Sequence, residues 1–259
     1  MDFEHIRWST PEDGIAVVTL SRPERLNTLT TPLFDELEAA LDRIERDDTI
    51  RVWVLTGDPR PDGRPCFSAG VDVRAFADGT GVTEHQGFRL TNRIDDMLKP
   101  SIAVIDGICS TGGAELALAC DLRIVGEAAE ISDWHLKKLG TGLGAWGAST
   151  RWARLLGVQR AKEIILTGKV VTGAEAYRIG FASELHPSAS LWEGSLETLR
   201  AIAGMDPNGL KLVLAHLDRI EDMTRDQALR WAELAPDWLG VRVRADEIEG
   251  KVLGKTDDS

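Results

Sequence analysis

The stretch ICSTGGAELALACDL (108–122) puts two adjacent glycines and a carboxylate, Glu115, at the head of an otherwise apolar segment. A helix that starts near Gly112 leaves its first backbone N–H groups without partners inside it. Those groups are aimed donors with partial positive charge, and glycine lets a ligand come close to them. Gly112 with Gly113 can therefore form half of an oxyanion hole, a donor of a kind worth about 2.7–4 kcal/mol of transition-state stabilisation. Glu115, one turn further in, is close enough to act on whatever the amides hold. The competing reading is a glycine-rich turn with a solvent-facing glutamate, and the pattern by itself leaves both open. A second stretch, CFSAGVDV (66–73), also places small residues at the end of an apolar strand–loop unit. It can present the N–H of Val71 toward the same point, so that one oxygen is gripped from two places.

The elements that must carry these residues are legible in outline. GIAVVTL (14–20), IRVWVLTG (50–57), PSIAVIDG (100–107) and DLRIVGE (121–127) read as strands. Between the first two, Leu33, Phe34, Leu37, Leu41 and Ile44 recur at helical spacing, with Thr31 as N-cap and Pro32 at the first helical position. The order strand, helix, strand predicts a parallel crossover. DPRPDGRP (58–65) reads as a loop, and a helix is expected over 86–98. From about residue 147 onward the pattern is mostly helical. The whole predicts an α/β core with a helical C-terminal region.

Composition excludes several function classes. A formal charge of −12 argues against a nucleic-acid binder, which needs basic surface to neutralise phosphates, and against docking on anionic membrane. No apolar run approaches the roughly 20 residues that span a bilayer. Three cysteines, Cys66, Cys109 and Cys120, in an odd number and without C-x-x-C spacing, read as reduced thiols of a cytoplasmic protein. Neither they nor the five histidines form a metal framework, so no metal is expected.

Several stretches in order, GIAVVTLSRPERLNTL, CFSAGVDV, PSIAVIDGICSTGGAELALACDLRI, GLGAWGASTRWARLLG, AKEIILTGKVVTGAEAYRIGFASE and, weakly, DEIEGK, make the chain resemble the crotonase superfamily, also called the enoyl-CoA hydratase/isomerase family. The resemblance implies an α/β fold of the crotonase type, a spiral of ββα units over residues 1–195 with a helical C-terminal trimerisation region over 196–259. It implies an acyl-CoA thioester as substrate, no cofactor beyond the coenzyme A of that substrate, and assembly as a homotrimer or a dimer of trimers. It also implies that the oxyanion N–H groups belong to Val71 and Gly112, and that Arg25, Ala69 and Arg74, with Arg22 nearby, lie where the family meets CoA.

The resemblance breaks at one catalytic position. Family hydratases use two glutamates, the first matching Glu115 and the second twenty residues on. Counting from Glu115 lands on His135, in EISDWHLKKLG. From His135 to Gly140 the chain carries one residue more than the usual pattern, and a shift of one would bring in Trp134 or Leu136; Asp133 is the other ionisable candidate. Histidine is a competent acid or base near neutral pH, so Glu115 with His135 can run hydration of an enoyl thioester. The same pair can serve a hydrolase, isomerase or decarboxylase of the superfamily. His135 as a plain pocket-wall residue and the chain as a non-catalytic acyl-CoA binder are the remaining alternatives. Trp134 and Trp146 flank the expected acyl pocket, where an indole shapes or shortens it. GLGAWG (142–147) matches the dinucleotide-binding pattern G-x-G-x-x-G but follows the polar DWHLKKLGT rather than a buried strand, which argues against that function. At the C-terminus Leu253 and Thr256 stand where the family carries Phe and Arg.

Overall fold

The computed structural model describes residues 3–238 and 240. It divides at Gly204/Met205 into two compact units. The first contains β1 (Ile6–Glu12), β2 (Ile15–Leu20), α1 (Thr31–Arg46), β3 (Val52–Gly57), β4 (Cys66–Ser68), α2 (Glu84–Asp95), β5 (Ser101–Ile105), β6 (Ile108–Ser110), α3 (Gly112–Ala119), β7 (Leu122–Gly126), β8 (Glu130–Ser132), α4 (Ala148–Leu156), α5 (Val158–Thr167), β9 (Val170–Thr172), α6 (Gly173–Ile179), β10 (Glu184–His186) and α7 (Leu191–Ala203). The second contains α8 (Pro207–Leu217) and α9 (Arg225–Trp238), where the rings of His216 and Trp231 stack 4.8 Å apart.

Two sheets form the frame. The larger runs β1-β2-β3-β5-β7-β10 and the smaller β4-β6-β8-β9. The β1–β2 and β8–β9 pairs are antiparallel and the other neighbours parallel. The pairs β3/β4, β5/β6 and β7/β8 each send their first strand to the large sheet and their second to the small one. That is the spiral of ββα units expected from the sequence.

The central strands β2, β3, β5 and β7 of the large sheet are buried on both faces, which is why they read as largely apolar runs. Alternate residues point to opposite faces. Val18, Leu20, Trp53, Leu55, Ala103 and Ile105 face the main core, with Leu33, Phe34, Leu37 and Leu41 of α1. Val17, Val52, Val54, Ile102, Val104 and Ile124 face Leu191 and Leu199 of α7. The sequence boundary at 195/196 falls inside α7, whose two ends thus both pack on the sheet.

Two local expectations are corrected. The cap of α1 is Thr30, not Thr31, which is already helical; no side-chain bond caps this end. Helix α2 begins at Glu84 rather than 86, because Thr83 and Gln86 form a reciprocal capping box, and it ends at Asp95 rather than 98. The DEIEGK stretch, Leu253 and Thr256 lie outside the described residues. Among the described residues no helix is long and apolar enough to cross a membrane, and no group of His, Cys, Asp or Glu is placed to hold a metal ion.

Candidate active site

The chemistry gathers at the C-terminal ends of three neighbouring parallel strands, where ligands characteristically bind in α/β sheets. The loop after β4 supplies Val71, the turn after β6 supplies Gly112, and the segment after β8 supplies Asp133 and His135. A cavity of about 400 Å³ lies among them, lined by Ala69, Val71, Ser110, Thr111, Gly112, Trp134, His135 and Trp146, with Val73, Phe76, Val82, Thr83, Glu84, Lys138, Leu139, Thr141 and Ala145.

Backbone pairing frees the two amides. Leu29 donates to the Gly70 carbonyl and accepts from the Asp72 N–H, 2.9 Å each, in an isolated parallel bridge. The N–H of Val71, between those two residues, therefore points away from Leu29. Among the described residues neither it nor the N–H of Gly112 donates to another protein group. The two segments touch: a Cβ added to Gly70, which has φ +92°, would lie 3.2 Å from the Gly112 nitrogen and overlap the Thr111 hydroxyl. Thr111 itself has φ 49° and ψ −115°, costly for a β-branched residue. Such strain concentrates at functional sites, and here it sets the direction of the next peptide N–H. Asp72 anchors the first loop: it accepts from the Arg74 N–H, the Arg22 guanidinium and the Thr28 hydroxyl. Burial raises its pKa, but these donors outweigh burial and hold it below the usual value.

Glu115 is fully buried in the first turn of α3 and does not reach the cavity surface. Its Oε1 accepts from the N–H groups of Ala145 (3.1 Å), Trp146 (2.6 Å) and Ala148 (3.1 Å). The glycine-rich GLGAWG stretch is thus an anion cradle at the start of α4, as such loops are elsewhere, and its anion is the chain's own carboxylate. Gly144 is required there: it has φ +82°, and a Cβ would sit 2.8 Å from Oε1. Oε2 of Glu115 is buried with no hydrogen-bond partner among the described residues, and Nε2 of His135 stands 3.3 Å from it.

His135 is the residue that meets the cavity. Its Nδ1 lies 2.9 Å from Oδ1 of Asp133, which also accepts from the His135 N–H at 3.2 Å. Burial alone would lower its pKa; the hydrogen bond to Asp133 and then the neighbouring Glu115 carboxylate outweigh burial and raise it to about 9. The residue count around it now has a physical form. His135–Leu139 make one turn of π-helix, closed by the Gly140 N–H, which the His135 and Leu136 carbonyls share, and by the Thr141 N–H on the His135 carbonyl at 3.0 Å. Such a turn absorbs one residue more than an α-turn and recurs at functional sites. The residues of the shifted alternatives are placed differently. Leu136 is exposed, and Trp134 spends its indole N–H on the Gly168 carbonyl, 3.0 Å.

Trp146 and Trp134 both line the cavity. Trp146 is pinned: a Cβ on Gly112 would lie 2.8 Å from its Cζ3, one on Gly87 would overlap the indole, and Phe34 meets it edge-on at 5.1 Å. Ala69 lines the cavity too. Arg25 and Arg74 do not; both are exposed, and Arg74 adjoins the cavity-lining Val73. Arg22 is turned inward onto Asp72 and the Thr28 carbonyl. Sequence reasoning missed the amide cradle around Glu115, although its glycines were visible in GLGAWG. It left Asp133 as a rival of His135 rather than its partner, although their spacing of two was visible in SDWH.

The arrangement can polarise a carbonyl oxygen with two main-chain donors and move a proton beside it. Comparison with known proteins places the chain in a family. The family model described as Enoyl-CoA hydratase/isomerase matches residues 10–234. A short-chain-enoyl-CoA hydratase of Clostridium acetobutylicum is 29% identical over 223 residues, covering 84% of this chain and 83% of its own length. The crystal structure of an enoyl-CoA hydratase from Bacillus anthracis superposes with a TM-score of 0.86 at 29% identity, over 96% of this chain and 95% of that one. A monofunctional enoyl-CoA isomerase from M. smegmatis superposes with a TM-score of 0.74 at 29% identity, over 87% of this chain and 98% of that one.

Proposed function

From the premise that this chain belongs to the enoyl-CoA hydratase/isomerase family, we propose that it is a hydratase-type lyase acting on an enoyl-CoA thioester. The thioester oxygen sits between the N–H groups of Val71 and Gly112, and the charge that develops there, as the substrate becomes an enolate, is held by donors already in place. His135 and Glu115 carry the protons. As water adds to the β-carbon, its proton passes to the Glu115–His135 pair, while the pair's own proton goes to the α-carbon; the pair ends as it began. Coenzyme A enters as part of the substrate, and no other cofactor has a part in this reading. The acyl group lies against Trp146 and Trp134, and Ala69 lines its entry. Arg25 and Arg74, exposed and basic, meet the CoA phosphates by charge-assisted bonds.

The observation that supports this most is that two unspent main-chain donors and one buried acid–base residue border a single cavity. The experiment is to add the protein to crotonyl-CoA and follow the conjugated thioester absorbance. Its loss, with 3-hydroxybutyryl-CoA as product, supports hydration; unchanged absorbance with all chain lengths refutes it. One observation favours a second reading, allylic isomerisation. Of Glu115 and His135, only His135 reaches the cavity, and a single proton carrier suffices to take a proton from one carbon and return it to another. A gain of conjugated absorbance from a 3-enoyl-CoA identifies that reaction. A homotrimer or dimer of trimers in the cytoplasm completes the reading. Its supports are the family and three buried, unpaired cysteines suited to a reducing compartment; the mass in solution tests the assembly.

A further inference from the structure

We propose that Asp133 is the positioning residue of this site: it fixes the His135 ring so that only Nε2 exchanges protons, and the group that protonates the acyl α-carbon is an imidazolium rather than a carboxylic acid. The inference rests on His135 as proton carrier. Asp133 is 2% exposed and is not part of the cavity wall, so it has no path to substrate except through its neighbour. Its Oδ1 holds both the backbone N–H of His135, at 3.2 Å, and the ring Nδ1, at 2.9 Å. One oxygen thus ties ring to main chain at the first residue of the π-turn, directly after β8.

An ionised carboxylate only accepts hydrogen bonds, so Nδ1 must carry a proton. The charge of the ring is then decided at Nε2 alone, and Nε2 faces the unpartnered Oε2 of Glu115 at 3.3 Å. Acidic oxygens at both nitrogens favour the charged ring, in agreement with its elevated pKa. The other charged groups on the cavity wall are Lys138 and Glu84, and the Lys138 ammonium rests over the Trp134 ring, 4.3 Å from its centre. In the hydration direction the Nε2–H bond breaks and a C–H bond forms at the α-carbon, which neutralises both enolate and ring. The proton released by the attacking water passes to the vacated Nε2, His135 being the member of the pair on the cavity wall, and restores the imidazolium. Nδ1 keeps its proton throughout.

The test is nitrogen NMR of the His135 ring in the full-length protein without ligand, alongside turnover of crotonyl-CoA. In the wild type Nδ1 stays protonated across the titration, and Nε2 loses its proton near pH 9. Asn can offer either its oxygen or its NH₂ to the ring and bears no charge. In Asp133→Asn the midpoint accordingly falls by about one unit or more, both neutral tautomers appear, and kcat falls about 100-fold with KM unchanged. Asp133→Glu recovers part of the kcat. A midpoint and kcat unmoved by Asp133→Asn overturn the proposal. So does a wild-type ring with Nδ1 unprotonated, a measurement that stands even if the variants fail to fold. A fixed tautomer in a protein that turns over no enoyl thioester supports the positioning role and refutes the enzymatic reading instead.

Discussion

Replacing Glu115 by glutamine and by alanine separates two jobs that one side chain does with two oxygens. Oε1 satisfies the N–H groups of Ala145, Trp146 and Ala148, all aimed at a point of zero solvent exposure. Glutamine keeps a carbonyl oxygen there. Alanine orphans all three donors, and a buried unsatisfied donor costs about 1–3 kcal/mol. Even the lower end, about 3 kcal/mol in all, is a large share of a typical net stability of about 5–15 kcal/mol. Oε2 is different, because it has no hydrogen bond to lose and faces only His135. Its chemical role is lost equally in both variants. Denaturant unfolding together with crotonyl-CoA turnover reads the two effects apart. Glu115→Gln should unfold close to wild type while kcat falls by about 10²–10⁴; Glu115→Ala should lose the same activity and at least about 3 kcal/mol of stability as well. Wild-type turnover in Glu115→Gln, or equal stability of the two variants, refutes the reasoning.

Three further outcomes follow from the same geometry. His135 titrates in the folded protein at about 9, above its ordinary 6.5, so its charged form adds stability that is fully present below pH 6.5 and fades as pH rises through 9. The size is on the order of 3 kcal/mol. Unfolding free energy measured from pH 6 to 10 should show that fall in the wild type and lose most of it in His135→Gln. Trp146→Ala should cost about 3–5 kcal/mol and enlarge the cavity, moving the best kcat/KM toward longer acyl chains across a series of enoyl-CoAs. Burial pushes the thiols of Cys66 and Cys120 up to about 11 and 12 and raises Cys109 as well; a thiol reagent at neutral pH should therefore label none of the three in the native protein and all three after denaturation.

The frame of the site was legible because burial on both faces writes itself as apolar runs. Val52–Leu55 and Ile102–Ile105 could be little else than central strands, and the helical spacing of Leu33, Phe34, Leu37 and Leu41 marked α1. Helix ends were less legible, since Thr30 and Thr31 are chemically the same cap and only backbone angles choose between them. Within the site, the unspent N–H groups of Val71 and Gly112 were expected from glycine placement. What Glu115 touches was not, because residues 145–148 reach it from some thirty positions away through main-chain N–H groups that carry no sequence signature. GLGAWG matched a dinucleotide-binding pattern and was set aside for want of a preceding buried strand; that its amides hold the chain's own Glu115 carboxyl was not legible in it. The extra residue between His135 and Gly140 left the local alignment open in the sequence; it sits in a π-turn, which shows only in backbone hydrogen bonds, the Gly140 N–H being shared by the His135 and Leu136 carbonyls.

The most direct measurement is a crystal structure of the protein with an unreactive acyl-CoA thioester. The thioester oxygen is expected about 2.7–3.1 Å from both the Val71 and the Gly112 nitrogens, with the α-carbon on the side of His135 Nε2. An oxygen bound elsewhere, or either amide donating to another protein group in that complex, contradicts the account.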